Sequence, residues 1–288
     1  MRLSIRQWIF KMAITISKTE PHLTPAKLVG ERFKKNTFGK MKIALIGYCP
    51  PPSILQKYNP ISTQDQYFIH VSPDSVKMCS YKNIEFLSLF HVYGGPVSAS
   101  TIEELAYFDF DYILAYGLAG GLGTKELKMG DYYLVESACV FDGTTPHYTK
   151  DFIVNSDSDL QSHILSLAKN TTLNNIKSVR AMTGDAIYRE EDALLISSRK
   201  SGCDIINLDS SHLFAASIHN HENKKIKTIE CGVISDVTGE AGNNWDSTLS
   251  VMLSSKHTNQ FNPLALTGNI VEFYVEKLAS EVLIKNYQ

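Results

Sequence analysis

The chain has 288 residues, with 28 Lys and Arg against 30 Asp and Glu and a formal net charge of -2. Hydrophobic residues make up 43% and charged ones 20%, enough apolar content for a core and too little charge for wholesale disorder. The near-neutral balance carries no electrostatic footprint for nucleic acid, and no apolar run reaches the ~20 residues of a membrane-spanning helix, so neither partner is expected.

Residues 1–17 are basic and lack an uninterrupted apolar stretch, since Lys11 follows Trp8, Ile9 and Phe10 directly. They are expected to form an N-terminal extension, with one domain over residues 18–288. From Lys42 onward short apolar runs alternate with helical patterns. Strands are expected at Lys42–Ile46, Ile84–Val92, Tyr112–Tyr116, Tyr132–Val140, Ser178–Met182, Asp204–Asn207 and Thr228–Ile234. Helices are expected at Ser98–Phe108, Asp157–Lys169 and Gly268–Lys285, where apolar residues recur at about 3.6-residue spacing. Such alternation predicts an α/β fold with a parallel or mixed sheet covered by helices.

Cys49, Cys79, Cys139, Cys203 and Cys231 are widely spread and form no CxxC pair. That excludes a disulfide scaffold and a cysteine-rich zinc site, and free thiols point to a reducing, cytoplasmic setting. His219 and His221 lack a third ligand in view, so no metal is expected. No G-x-S-x-G elbow is present, and Gly117–Gly121 does not have the dinucleotide-binding spacing, so no cofactor is expected either.

Four stretches can carry chemistry. Gly117-Leu118-Ala119-Gly120-Gly121 is expected to leave the end of a strand, where small residues let a ligand approach backbone N–H groups. Tyr188 follows Thr183-Gly184-Asp185-Ala186 just past another strand, where an aromatic can stack on a flat ligand or simply be half-buried. Leu208 and Asp209 stand where a strand enters a helix; Asp209 can cap that helix or accept hydrogen bonds from a vicinal diol. Ser235 and Asp236 close an apolar strand, a setting in which partial desolvation raises a carboxyl's pKa and suits it to proton donation.

In this order the stretches resemble the nucleoside phosphorylase and nucleosidase superfamily, which includes purine nucleoside phosphorylase, uridine phosphorylase and methylthioadenosine/adenosylhomocysteine nucleosidase. The block Gly94–Gly130 carries the most specific likeness, and Pro21-His22-Leu23 looks like the family's short N-terminal segment. The resemblance implies a three-layer α/β/α sandwich with a strongly curved mixed sheet, and a homodimer or hexamer. It implies a nucleoside substrate, with inorganic phosphate as a further substrate in the phosphorylases. It implies that Asp236 is the acid at purine N7, oriented by Ser235. Asp209 stands where the family has a diol-binding Glu, next to Leu208. Tyr188 would stack on the base, Gly117, Ala119 and Gly120 would line the pocket, and His22 would reach a neighbouring subunit's sugar site.

Three positions depart from the pattern. Ala115 replaces a phosphate-binding arginine, Leu118 replaces a phosphate-binding serine or threonine, and Pro50–Pro52 stand where phosphorylases have an arginine and nucleosidases a water-activating glutamate. A phosphate dianion needs several charge-assisted donors, so hydrolysis of a purine nucleoside is expected over phosphorolysis. An atypical phosphorylase using Arg189 or Arg199, and a nucleoside binder without turnover, are the alternatives.

Overall fold

The computed structural model describes residues 21–238, 245–247 and 262–283; the expected extension at 1–17 and the end of the expected last helix at Lys285 lie outside the described residues. Eleven strands among the described residues form one mixed sheet. They are β1 (Ile43–Gly47), β2 (Ile61–Ser62), β3 (Val76–Tyr81), β4 (Ile84–Phe90), β5 (Tyr112–Gly121), β6 (Tyr132–Val140), β7 (Ile153–Asn155), β8 (Lys177–Thr183), β9 (Ile205–Asn207), β10 (Lys227–Thr238) and β11 (Trp245–Ser247). Their order is β11-β10-β6-β8-β9-β5-β1-β4-β3-β2, with β7 on β6. Because β10 also pairs with β5, the strands β5, β10, β6, β8 and β9 close on themselves. The expected curvature therefore goes as far as a five-stranded ring.

Helices cover both faces: α1 (Pro25–Leu28), α2 (Gly95–Tyr107), α3 (Ser158–Ala168), α4 (Asp192–Lys200), α5 (Ser210–His219) and α6 (Pro263–Phe273), which continues in wider turns over Tyr274–Leu283. Alternation along the strands sorts the core into two layers. Ala44, Ile46, Ile113 and Ala115 pack with Ile102, Leu105, Leu213 and Phe214 of α2 and α5. Ile43, Leu45, Leu114 and Tyr116 pack with Leu160, Ile164, Ile270 and Leu278 on the opposite face. Local chemistry starts these helices. The Asp157 carboxylate accepts from the N–H groups of Asp159 and Leu160 ahead of α3, and Asn262 caps α6 through Leu264 N–H at 3.0 Å.

Two strands outrun their expected ends. The glycines from Gly117 to Gly121 continue β5 rather than leaving it, because β10 pairs alongside them through Gly121. β10 itself runs to Thr238, so Asp236 lies inside a strand and not at its tip. The hairpin of β3 and β4 was not expected over Val76–Tyr81, where polar residues interrupt the apolar pattern. Antiparallel pairing with β4 supplies the missing stabilisation, and Lys82 turns the chain at φ 53°.

Gly232 in β10 marks one close approach. A Cβ there would fall inside the ring and hydroxyl of Tyr133, which is fully buried in β6 and cannot move into solvent. Gly232→Ala is expected to destabilise the chain by about 1–3 kcal/mol, the usual cost of overpacking, read from the midpoint of urea unfolding. An unchanged midpoint would contradict this packing.

Candidate active site

The site begins with a change of partner along β5. β10 holds one edge of β5 throughout. On the other edge, β1 pairs with Tyr112–Tyr116 in parallel, and β9 pairs with Gly120 and Gly121 antiparallel. Between them Gly117, Leu118 and Ala119 have no strand partner on that edge among the described residues. β1 and β9 run in opposite directions relative to β5, so their carboxyl ends both face this gap. Such a divergence is where α/β sheets open a crevice for ligands.

Tyr48 leaves β1 into the gap, its N–H bonded to the Tyr116 carbonyl at 2.9 Å and its hydroxyl 2.7 Å from Ser98 Oγ. Leu208 and Asp209 enter from the end of β9. Asp209 occupies the cap position of α5 yet makes no side-chain capping bond, so its buried carboxyl is not used to start that helix. It points at β5 instead: a Cβ on Gly117 would lie 3.9 Å from Asp209 Oδ2 and 3.2 Å from Tyr48 Cβ. A Cβ on Gly120 would lie 3.0 Å from Asp236 Oδ2. Asp209 thus lies in contact range of Gly117 and Asp236 against Gly120, three residues further along β5; the tight approaches are Tyr48 at Gly117 and Asp236 at Gly120.

A bulge places Asp236. The register between β10 and β5 shifts between Ile234 and Asp236, so that Asp236 rather than Ser235 stands opposite Gly120. Bulges re-aim side chains in this way. Ser235 Oγ lies 2.6 Å from Asp236 Oδ1 and 3.2 Å from the Ala119 carbonyl oxygen.

The electrostatics around the gap are those of buried acids. Burial, then the neighbouring Glu230 carboxyl, holds Asp209 well above the ordinary carboxylate range. Burial also pushes Glu230 up from 4.5 to about 7, against hydrogen bonds from Ser210, Asn207 and Tyr133 that favour its charged form. Glu190 is raised to about 7 by burial and then by Asp236, which puts a second acid beside that carboxylate. Tyr93 is half-exposed, and its hydroxyl is raised by burial and then by Cys49 and Asp209. Its ring lies 5.7 Å from His91, which holds φ 59° at the end of β4.

Among the described residues positive charge is sparse here. Ala115 is fully buried in the core, and Leu118 joins the apolar cluster that includes Ile54 and Leu264. Arg199 donates to the Leu122 carbonyl and Thr238 hydroxyl, Arg180 donates to Ser137 and the Ser201 carbonyl, and Arg189 is exposed.

Two expected site residues are exposed. Tyr188 sits on a short turn, Ile187–Arg189, and is 96% exposed, so its ring stacks on nothing among the described residues. The turn directs that ring to solvent. His22 is exposed, with its carbonyl accepting from Lys27 Nζ at 3.1 Å. A cavity of about 1120 Å3 lies beside this segment, lined by Leu23, Gly95, Thr144 and His147 among others, and neither Asp209 nor Asp236 borders it. Sequence reasoning missed Tyr48, Tyr93, Glu190 and Glu230. Only Glu230 carried a visible signal, a charge within the apolar run Thr228–Val233.

The chain belongs to the phosphorylase superfamily, whose sequence profile matches residues 76–261. An uncharacterized protein of Acanthamoeba polyphaga mimivirus is 28% identical over 251 residues, covering 82% of this chain and 95% of that protein. The fold is similar to that of the 5′-methylthioadenosine/S-adenosyl homocysteine nucleosidase of Campylobacter jejuni, with TM-score 0.63 and 18% identity over 84% of this chain and all of that one. A futalosine hydrolase mutant of Helicobacter pylori gives TM-score 0.61 and 12% identity over 84% of this chain and 100% of that one. The uridine phosphorylase of Vibrio fischeri gives 0.57 and 17%, over 70% of this chain and 81% of that one. Hydrolases and a phosphorylase thus share this fold.

The buried acids make stability depend on pH. Around Glu230 stand Asp209, Tyr48, Tyr133, Cys231 and Tyr274, none of them cationic. The folded chain keeps a proton on Glu230 that the unfolded chain loses above about 4.5. The stability this group contributes is full below that pH and fades as pH rises through about 7. The melting temperature of the native chain is expected to fall relative to Glu230→Gln across that window. A pH-independent difference would contradict it.

Proposed function

We propose that this chain cleaves the N-glycosidic bond of a purine nucleoside, or of a 5′-substituted one, with water as acceptor. The observation that carries the reading is the placement of Asp209 and Asp236 against one glycine-bearing stretch of β5. A sugar lying along Gly117–Ala119 would put its diol toward Asp209 and its base toward Asp236. As the C1′–N bond stretches, positive charge gathers on the sugar and negative charge on the base. Asp236, oriented by Ser235, gives N7 a proton as the C1′–N bond breaks; water then forms the new bond at C1′ and gives up a proton, which through solvent restores Asp236. General-acid help of this kind is typically worth about 10²–10⁴-fold.

Water is preferred because the family's phosphate positions are apolar here and, of the two alternative arginines, Arg199 is committed elsewhere and Arg189 is exposed. Ala115 is in the core, Leu118 packs with apolar neighbours, and the Arg199 guanidinium is held by Leu122 and Thr238. A phosphorylase with an atypical phosphate site is therefore the weaker alternative. A nucleoside-binding protein without turnover is the second reading, favoured by the absence of any carboxylate at Pro50–Pro52. Assembly as a homodimer or hexamer, with His22 reaching a neighbouring subunit, belongs to the same proposal, as does a cytoplasmic location suited to five free cysteines.

The test is release of free base from a panel of purine and 5′-methylthio nucleosides and uridine, with and without inorganic phosphate. Purine release without phosphate is expected, reduced at least about 10²-fold by Asp236→Ala. Absolute dependence on phosphate would overturn the acceptor, and an Asp236→Ala variant with unchanged turnover would overturn the mechanism. Nucleoside binding with no base released would support the second reading.

A further inference from the structure

One buried carboxyl plays no part in the chemistry above. Glu230 is 0% exposed in the middle of β10, whose ladder has no use for a charge. A buried carboxyl is costly unless its oxygens are bonded, and these are. Oε2 accepts from Ser210 Oγ at 2.7 Å; Oε1 accepts from Asn207 Nδ2 at 3.0 Å and from the Tyr133 hydroxyl at 3.4 Å. Asn207 Nδ2 also donates to Ser210 Oγ at 2.6 Å. Asn207 Oδ1 accepts from the Thr183 hydroxyl at 3.2 Å and from the N–H groups of Asp209 and Ser210 at 3.4 and 3.5 Å.

These bonds converge on one corner, Asn207–Ser210, and Asp209 is its third residue. Asp209 has no capping bond to hold its side chain, so the direction of its carboxyl follows from the corner that carries it. Ser210 and Asn207 are gripped together by the two oxygens of Glu230, across from β10. Above about pH 7, where Glu230 is ionised, both of its oxygens accept; a glutamine there would keep the volume and one acceptor oxygen but lose the second, so Asn207 and Ser210 could no longer both donate to it.

We propose that Glu230 is a positioning residue for sugar recognition, holding Asn207 and Ser210 so that the Asp209 carboxyl stays beside Gly117, where it meets the diol. This inference rests on the nucleoside reading given above and assigns a role to a residue that touches neither sugar nor base.

The test is calorimetric binding above about pH 7, where Glu230 is ionised, to the full-length chain carrying Asp236→Asn, which suppresses cleavage. The ligands are a purine ribonucleoside (adenosine or inosine, whichever binds more tightly) and its 2′,3′-dideoxy form. Adding Glu230→Gln is expected to weaken the ribonucleoside about tenfold, the effect of one good hydrogen bond, and to change the dideoxy form less than about twofold. Ser210→Ala, which deletes the 2.7 Å bond from the other side, is expected to act in the same direction and carries the test if Glu230→Gln does not fold. In the Asp236 parent enzyme, Glu230→Gln should raise KM for the ribonucleoside more than it lowers kcat. Equal weakening of both ligands, as a merely structural role would give, overturns the proposal, and so does an unchanged ribonucleoside affinity. A parent chain that binds the two forms equally overturns Asp209 as the diol anchor and the proposal with it. A parent chain that binds no nucleoside overturns the nucleoside reading itself.

Discussion

The arrangement around the site depends on β5 exchanging one neighbour for another. A strand paired on both edges over its full length offers a ligand nothing but side chains. β5 keeps β10 on one edge, but on the other it gives up β1 at Tyr116 and takes β9 only at Gly120. The interval has backbone without a ladder and, at Gly117, a residue without a side chain. Two chain ends and a register shift bring Tyr48 and the two aspartates to that interval or to Gly120, where it closes. Tyr48 comes from the end of β1, Asp209 from the end of β9, and Asp236 from the bulge of β10.

The same geometry accounts for the electrostatics. Closing five strands into a ring buries the corner after β9, and burial is the first cause of the raised pKa at Asp209 and at Glu230. Two acids close together and away from cations cannot both ionise easily near neutral pH. A carboxyl kept neutral can donate one hydrogen bond and accept another, which matches a vicinal diol as well as an ionised group does. The reading proposed here therefore does not depend on Asp209 being charged.

Much of the architecture is legible in the sequence because apolar alternation and capping residues act locally. The strand at Ile43–Gly47 and the helix after Asp157 follow from patterns a few residues long. The order of the glycine block, the Asp209 corner and the Ser235–Asp236 pair was enough to indicate the family. What stayed hidden depends on pairing at a distance. Gly117–Gly121 is poor in strand-forming residues and is extended because β10 and, at Gly120 and Gly121, β9 lie beside it. The bulge at Ser235 is a property of two strands together. Tyr188 shows the same limit on a smaller scale: a sequence places an aromatic on a turn, but the turn's own geometry decides where the ring points, and here it points to solvent. Glu230 was visible as a charge in an apolar strand, and its partners became visible only once β9 and α5 were folded against it.

The most direct measurement is a crystal structure with a purine C-nucleoside, in which a carbon–carbon bond replaces the bond to be cleaved. The account predicts the sugar along Gly117–Ala119, with its diol on Asp209 and its base within hydrogen-bonding distance of Asp236. A ligand bound elsewhere, or one in this gap that touches only one of the two carboxyls, would contradict it.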